Sequence, residues 1–291
     1  MRGTVFLLGF LAAAGLGLVS AQAEPVAIVA AENFYGDVAE QIGGPDVRVV
    51  SILTNPDQDP HLFEANASTA REIAGADIVI LNGVDYDPWM AKLLAASRGA
   101  RRETLEVARL LHKKPGDNPH LWYDPGTMPV FAKALAASLA KRDPAHGADY
   151  ETRLALFVAS LKPLDDEVAA LRKDYAGAPV TATEPVFGYM AAAIGLKMRN
   201  ERFQLAVMNS TEPSASAIAA FQKDLRTRAV KVLLYNSQTS EELTQRMRDL
   251  ATQSAVPVVG VSETEPAATR FQDWMLGQLR ALRTGLSGQQ P

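Results

Sequence analysis

The 291-residue chain has no cysteine, only four histidines and a formal charge of -4 from 29 basic and 33 acidic side chains. The missing cysteine excludes disulfide staples, thiolate metal sites and the lipid-modified cysteine that tethers bacterial lipoproteins. The small net charge gives no electrostatic footprint for nucleic acid. Beyond the amino terminus no run of apolar residues is long enough to cross a bilayer. With histidine so scarce, the place of each one carries information.

The first residues supply what the rest lacks. Arg2 precedes an apolar run from Val5 to about Val19, and Ala21 and Ala23 stand before Glu24. This is the pattern of a cleaved secretory signal peptide, so residues 1–23 are expected to be removed. The mature chain then starts near Glu24 as a free, soluble protein of the periplasm without a membrane anchor.

Short β-branched runs alternate with longer stretches of helical period, the sequence form of an α/β protein with parallel sheets covered on both faces. Strands are expected at VAIVAAE from Val26, VRVVSIL from Val47, DIVILNG from Asp77 and RRETLEV from Arg101. A second set is expected at PVTATE from Pro179, FQLAVMN from Phe203, VKVLLYN from Val230 and VPVVGVSE from Val256. Between the sets, Leu154, Phe157, Val158, Leu161, Leu164, Val168 and Leu171 repeat at intervals of three and four. That spacing predicts a long amphipathic helix, bent at Pro163 where a backbone hydrogen bond is lost. The expected organisation is an amino-terminal lobe (24–143), a linking helix (144–176) and a carboxy-terminal lobe (177–291), each lobe carrying a four-stranded parallel sheet. Lobes joined by a helix are expected to rock rather than swing.

In open α/β sheets ligands bind beyond the carboxyl ends of the strands. Four unusual positions share that location: His61 after the second strand, His120 after the fourth, Glu184 at the end of the fifth and Glu263 at the end of the eighth, with Glu265 close behind. Two imidazoles and two carboxylates suit a borderline divalent cation such as zinc, manganese or ferrous iron. Prolines beside three of these residues fix the backbone and lower the entropy lost when ligands converge. Taken singly, each has a plainer reading, a half-buried histidine or a charge at a helix start. Their common position is what those readings leave unexplained. His112, among lysines, and His146, at the start of the linking helix, read as surface residues. The three tryptophans read as core, Trp122 with a possible second role as a wall beside His120.

The segments DPHLFE (59–64), ADIVILNGVDYDPWM (76–90), NPHLWYDP (118–125), TEPVFGYMAAAIGL (183–196), TEPSASAIAAF (211–221) and VPVVGVSETEP (256–266) together resemble the cluster A-I (cluster 9) solute-binding proteins of bacterial zinc and manganese ABC transporters. The resemblance implies two α/β lobes tied by one helix, with the metal held between them as transported ligand. It places the first two ligands on His61 and His120. The third, histidine in many zinc-type and glutamate in many manganese-type members, falls on Glu184. The fourth, usually aspartate, falls on Glu263, with Glu265 as the alternative. The histidine-rich loop frequent in zinc importers is missing before His120. The implied partners are a membrane permease and its cytoplasmic ATPase, and the implied state is a monomer with no catalytic activity. A secreted metal-dependent hydrolase is the alternative from another class, though no His-Glu-x-x-His helix is present. An adhesin is a third reading, poorly supported without a surface anchor.

Overall fold

The structure is a computed structural model that describes residues 24–56, 63–97, 102–239 and 241–290. Residues 1–23, expected to be a signal peptide, His61 and the start of the run at Arg101 lie outside them. Two four-stranded parallel sheets organise the chain. The first comprises β1 (Val26–Glu32), β2 (Val47–Leu53), β3 (Ile78–Leu81) and β4 (Glu103–Glu106) in the order β2-β1-β3-β4. The second comprises β5 (Pro179–Ala182), β6 (Lys197–Arg199), β7 (Leu233–Asn236) and β8 (Val258–Val261) in the order β6-β5-β7-β8. The central strands are apolar because helices cover both faces, and every β3 residue is buried. In each sheet the order reverses beside the first strand, which opens a crevice at the carboxyl ends of β1 and β3 and of β5 and β7.

Seven of the eight expected strands are found. The exception is FQLAVMN, which lies in the helix Glu201–Met208. Phe203, Gln204 and Val207 are buried while Leu205 is 46% exposed, a helical rather than alternating distribution. The strand that takes its place is β6, which starts six residues earlier and has Met198 as its one apolar residue. It sits at the sheet edge, where a short pairing with β5 from Pro179↔Lys197 to Thr181↔Arg199 needs no apolar side chain.

The linking segment forms two successive helices, Gly147–Ser160 and Lys162–Tyr175, broken at Leu161. Pro163 stands in the first turn of the second helix, where its missing N–H costs nothing. Phe157, Leu161, Leu164 and Leu171 are buried, whereas Val158, expected on the inner face, is 43% exposed.

The lobes also share a core. Phe34, at the start of the helix Asn33–Gly43, stacks on Trp122 with ring centroids 4.5 Å apart and lies 5.8 Å from Trp274 of the final helix, Phe271–Leu286. Tyr123 lies 5.3 Å from Phe187 across the same boundary. One apolar cluster runs through both halves, taking in Ile28 and Ile80 of the first sheet and Val180 and Leu234 of the second.

Candidate metal centre

His120 follows Asn118 and Pro119 on the loop that leads into the 3-10 turn Leu121–Tyr123, and it is fully buried. Its orientation is set by Asn118. The Asn118 Nδ2 donates to the carbonyl of Pro185 at 2.7 Å, which fixes the amide so that Oδ1 points the other way. That oxygen accepts from the His120 backbone N–H at 3.1 Å and lies 2.7 Å from His120 Nδ1. Since an amide oxygen only accepts, Nδ1 carries the proton and Nε2 presents a lone pair. The Trp122 ring stands edge-on 5.4 Å from the imidazole, and Tyr86 lies 6.0 Å away. Trp122 therefore walls the imidazole as well as filling the core.

Glu263 lies just beyond β8 and is 1% exposed. Gln238 Oε1 accepts from the backbone N–H groups of Glu263 and Thr264, the first at 2.5 Å and the second at 2.9 Å. Asn236, the last residue of β7, donates from Nδ2 to Glu263 Oε1 at 2.5 Å. The second carboxylate oxygen faces the other lobe: Oε2 is 3.2 Å from His120 Nε2, with both side chains fully buried. A proton or a metal cation between them satisfies both atoms at this distance. Tetrahedral ligands about 2.1 Å from a zinc-like ion stand roughly 3.4 Å apart, so the pair has the separation of two ligands of one metal.

Glu184 ends the fifth-strand segment, is 4% exposed, and accepts from Thr239 Oγ1 at 2.9 Å. It is joined to the His120 loop through the Asn118 bond to its neighbour Pro185. Among the described residues no three histidine, cysteine or acidic side chains are gathered closely enough to hold a metal, so the contact pair is His120 and Glu263. Glu265 faces a different neighbourhood. Its backbone exchanges two hydrogen bonds with the Asn33 amide, at 2.7 and 3.1 Å, and its side chain lines a cleft of about 480 Å³ with Asp37, Glu40 and Arg270. Burial first, then Asp37, pushes its carboxyl up to about 9 against the opposing pull of Arg270. His112 is exposed, and His146 is 40% exposed and bonded to Asp143 at 2.6 Å, as expected of surface residues.

Asn118, Asn236, Gln238 and Thr239 form the supporting layer, and sequence reading did not single them out. Two of them had a visible signal: Asn118 stands two residues before His120, and Asn236 ends a strand. Tyr86 also belongs here. Its hydroxyl is pushed well above the usual tyrosine range by burial and then by the charge of Glu263.

A profile of the family described as "zinc-uptake complex component A periplasmic" matches residues 28–285. The zinc-binding protein TroA of Treponema pallidum is 26% identical over 255 residues, 84% of this chain and 80% of that protein. Its solved structure superposes with a TM-score of 0.74 at 20% identity, covering 92% of this chain and all of the other. An iron ABC transporter substrate-binding lipoprotein of Streptococcus pyogenes, MtsA, is 25% identical over 208 residues, 66% of each chain. The manganese-bound periplasmic metal-binding protein of Candidatus Liberibacter asiaticus has a TM-score of 0.72 at 18% identity, covering 90% of this chain and all of its own.

Proposed function

Because this chain belongs to the family of periplasmic zinc-uptake components, we propose that it is the capture subunit of a metal importer, taking up Zn2+ or Mn2+ in the periplasm and delivering it to an ABC permease driven by a cytoplasmic ATPase. The observation that carries this reading is the buried meeting of His120 Nε2 and Glu263 Oε2 at 3.2 Å, one from each lobe. His61 and Glu184 complete the proposed ligand set, and the side chain of Glu265, directed to the Asp37 cleft, is left out of it. The cation is cargo, and four protein ligands leave no position reserved for an attacking water, so the site binds rather than catalyses. The proposed units are 24–143, 144–176 and 177–291. The mature protein works as a monomer after removal of residues 1–23, and no described helix is long and apolar enough to cross a membrane.

Two carboxylates bias the site toward harder ions such as Mn2+, while the general affinity order still favours Zn2+ in vitro. Titration of metal-stripped protein with each ion tests the reading. His120→Ala should weaken binding by at least a hundredfold, and unchanged affinity in that variant overturns the proposal. Glu184→His should shift the preference toward Zn2+. An unaltered ratio would remove Glu184 from the selectivity argument.

A further inference from the structure

Two donors to the carboxylates of Glu184 and Glu263 come from one short segment at the carboxyl end of β7. Asn236 Nδ2 donates to Glu263 Oε1 at 2.5 Å, and Thr239 Oγ1 donates to Glu184 Oε1 at 2.9 Å. The Asn236 amide is fixed, because its Oδ1 accepts from the backbone N–H of Gln238 at 3.1 Å and leaves Nδ2 directed at Glu263. The Thr239 hydroxyl has the Asn236 carbonyl as another acceptor only at 3.5 Å, so its single proton goes to Glu184. Asn236, Glu184 and Glu263 are all buried, so bulk water has little access to replace either donor.

A carboxylate gives a metal one oxygen or two. An oxygen committed to a close donor is a poor second ligand, because the donated proton takes up one of its lone pairs and part of its charge. Glu263 presents its other oxygen, Oε2, to His120 Nε2 at 3.2 Å, as one-oxygen coordination requires. Held in this way, the two carboxylates supply two oxygens rather than four. Zinc is satisfied by a tetrahedral shell, whereas manganese favours an octahedron of oxygen ligands. A low oxygen count therefore works against manganese, and against the bias that two carboxylates give by themselves. We infer that Asn236 and Thr239 are specificity-determining residues, which turn a carboxylate-rich site toward Zn2+ by holding Glu263 and Glu184 to one oxygen each. This role rests on the proposed metal-capture reading.

Competition titration of the full mature protein with Zn2+ and Mn2+ tests the inference. The readout is the ratio of the two affinities, because a merely structural loss weakens both ions alike. Thr239→Val keeps the shape without the hydroxyl, and Asn236→Leu keeps the volume without the amide. In each, zinc affinity should fall about tenfold, the scale seen when supporting groups of metal ligands are lost, while manganese affinity holds or rises. Thr239→Ser restores the donor and should keep the wild-type ratio. An unchanged ratio in Thr239→Val or in Asn236→Leu, or a Thr239→Ser ratio that shifts as far as that of Thr239→Val, overturns the inference. Should Asn236→Leu fail to fold, the Thr239 pair decides. In a crystal structure of the Mn2+-loaded wild type, Glu184 and Glu263 should each touch the metal through one oxygen, and two oxygens of either on the metal also overturn it. His120→Ala separates the two levels. If it binds both ions normally, metal capture itself is wrong; if it loses both while the ratio stays fixed in the donor variants, only the role of Asn236 and Thr239 is wrong.

Discussion

Asn118 shows how one side chain commits a histidine to a task. Its amide is polarised between the lobes, Nδ2 on the Pro185 carbonyl and Oδ1 on His120, so the tautomer that exposes Nε2 is fixed by a contact to the opposite lobe. Asn118→Ala should lower metal affinity by about tenfold to a hundredfold, measurable by calorimetry, with His120 itself intact. Glu265 gives a prediction in pH. Its folded carboxyl titrates at about 9 against an ordinary 4.5, so between those values the native state binds more protons than the unfolded chain. Stability therefore falls as pH rises through that window. In Glu265→Gln, melting temperatures of the metal-free protein between pH 5 and pH 9 should decline less steeply than in the parent. Glu263 was legible in the sequence because it lies just past the end of β8, and His120 because it is a scarce histidine in the loop region that follows β4. Asn118 and Asn236 were less so, because their value comes from partners 67 and 27 positions away that only folding reveals.

Among the elements, the turn after β3 depends on a conformation only glycine adopts cheaply. Gly83 has φ +81, and a Cβ there would come within 2.8 Å of Glu106 Oε1 and 3.0 Å of the Ala108 Cβ. Gly83→Ala should destabilise the fold by more than about 1 kcal/mol and weaken metal binding with it, since the same turn carries Tyr86 and Asn82, whose Nδ2 donates to the Pro119 carbonyl at 2.8 Å, immediately before His120. Chemical denaturation and zinc titration of one variant measure both effects. Apolar, β-branched strands were readable because burial on both faces writes itself as a continuous run. The edge strand β6, Lys-Met-Arg, was not, because an edge pairing of three residues places little demand on side chains. FQLAVMN misled because a short apolar run fits a buried strand as well as a helix face, and length alone did not separate them.

At the scale of the whole molecule, the linking helices are one of several ties. Along the helix Asn33–Gly43, Asn33, Asp37 and Gln41 recur every four residues, and all three engage the carboxy-terminal half. Asn33 holds the Glu265 backbone, Asp37 pairs with Arg270 at 2.7 Å and accepts from the Phe271 N–H at 3.0 Å, and Gln41 exchanges hydrogen bonds with Gln272. With the Phe34, Trp122 and Trp274 cluster beneath, this seam resists separation of the lobes. The rocking expected from a helical link is thereby restrained further, and small-angle scattering should give the same radius of gyration with and without metal. Cargo bound only by the folded state should still raise the melting temperature, by an increment equivalent to about 2.7 kcal/mol when free metal is a hundred times the dissociation constant. The central claim is that one cation sits between the two lobes on His120 and Glu263. A crystal structure of the zinc-loaded protein with anomalous scattering at the zinc edge tests it most directly. The account predicts a peak roughly 2.0–2.2 Å from both His120 Nε2 and Glu263 Oε2; a zinc peak elsewhere, with these two side chains touching nothing but each other, would contradict it.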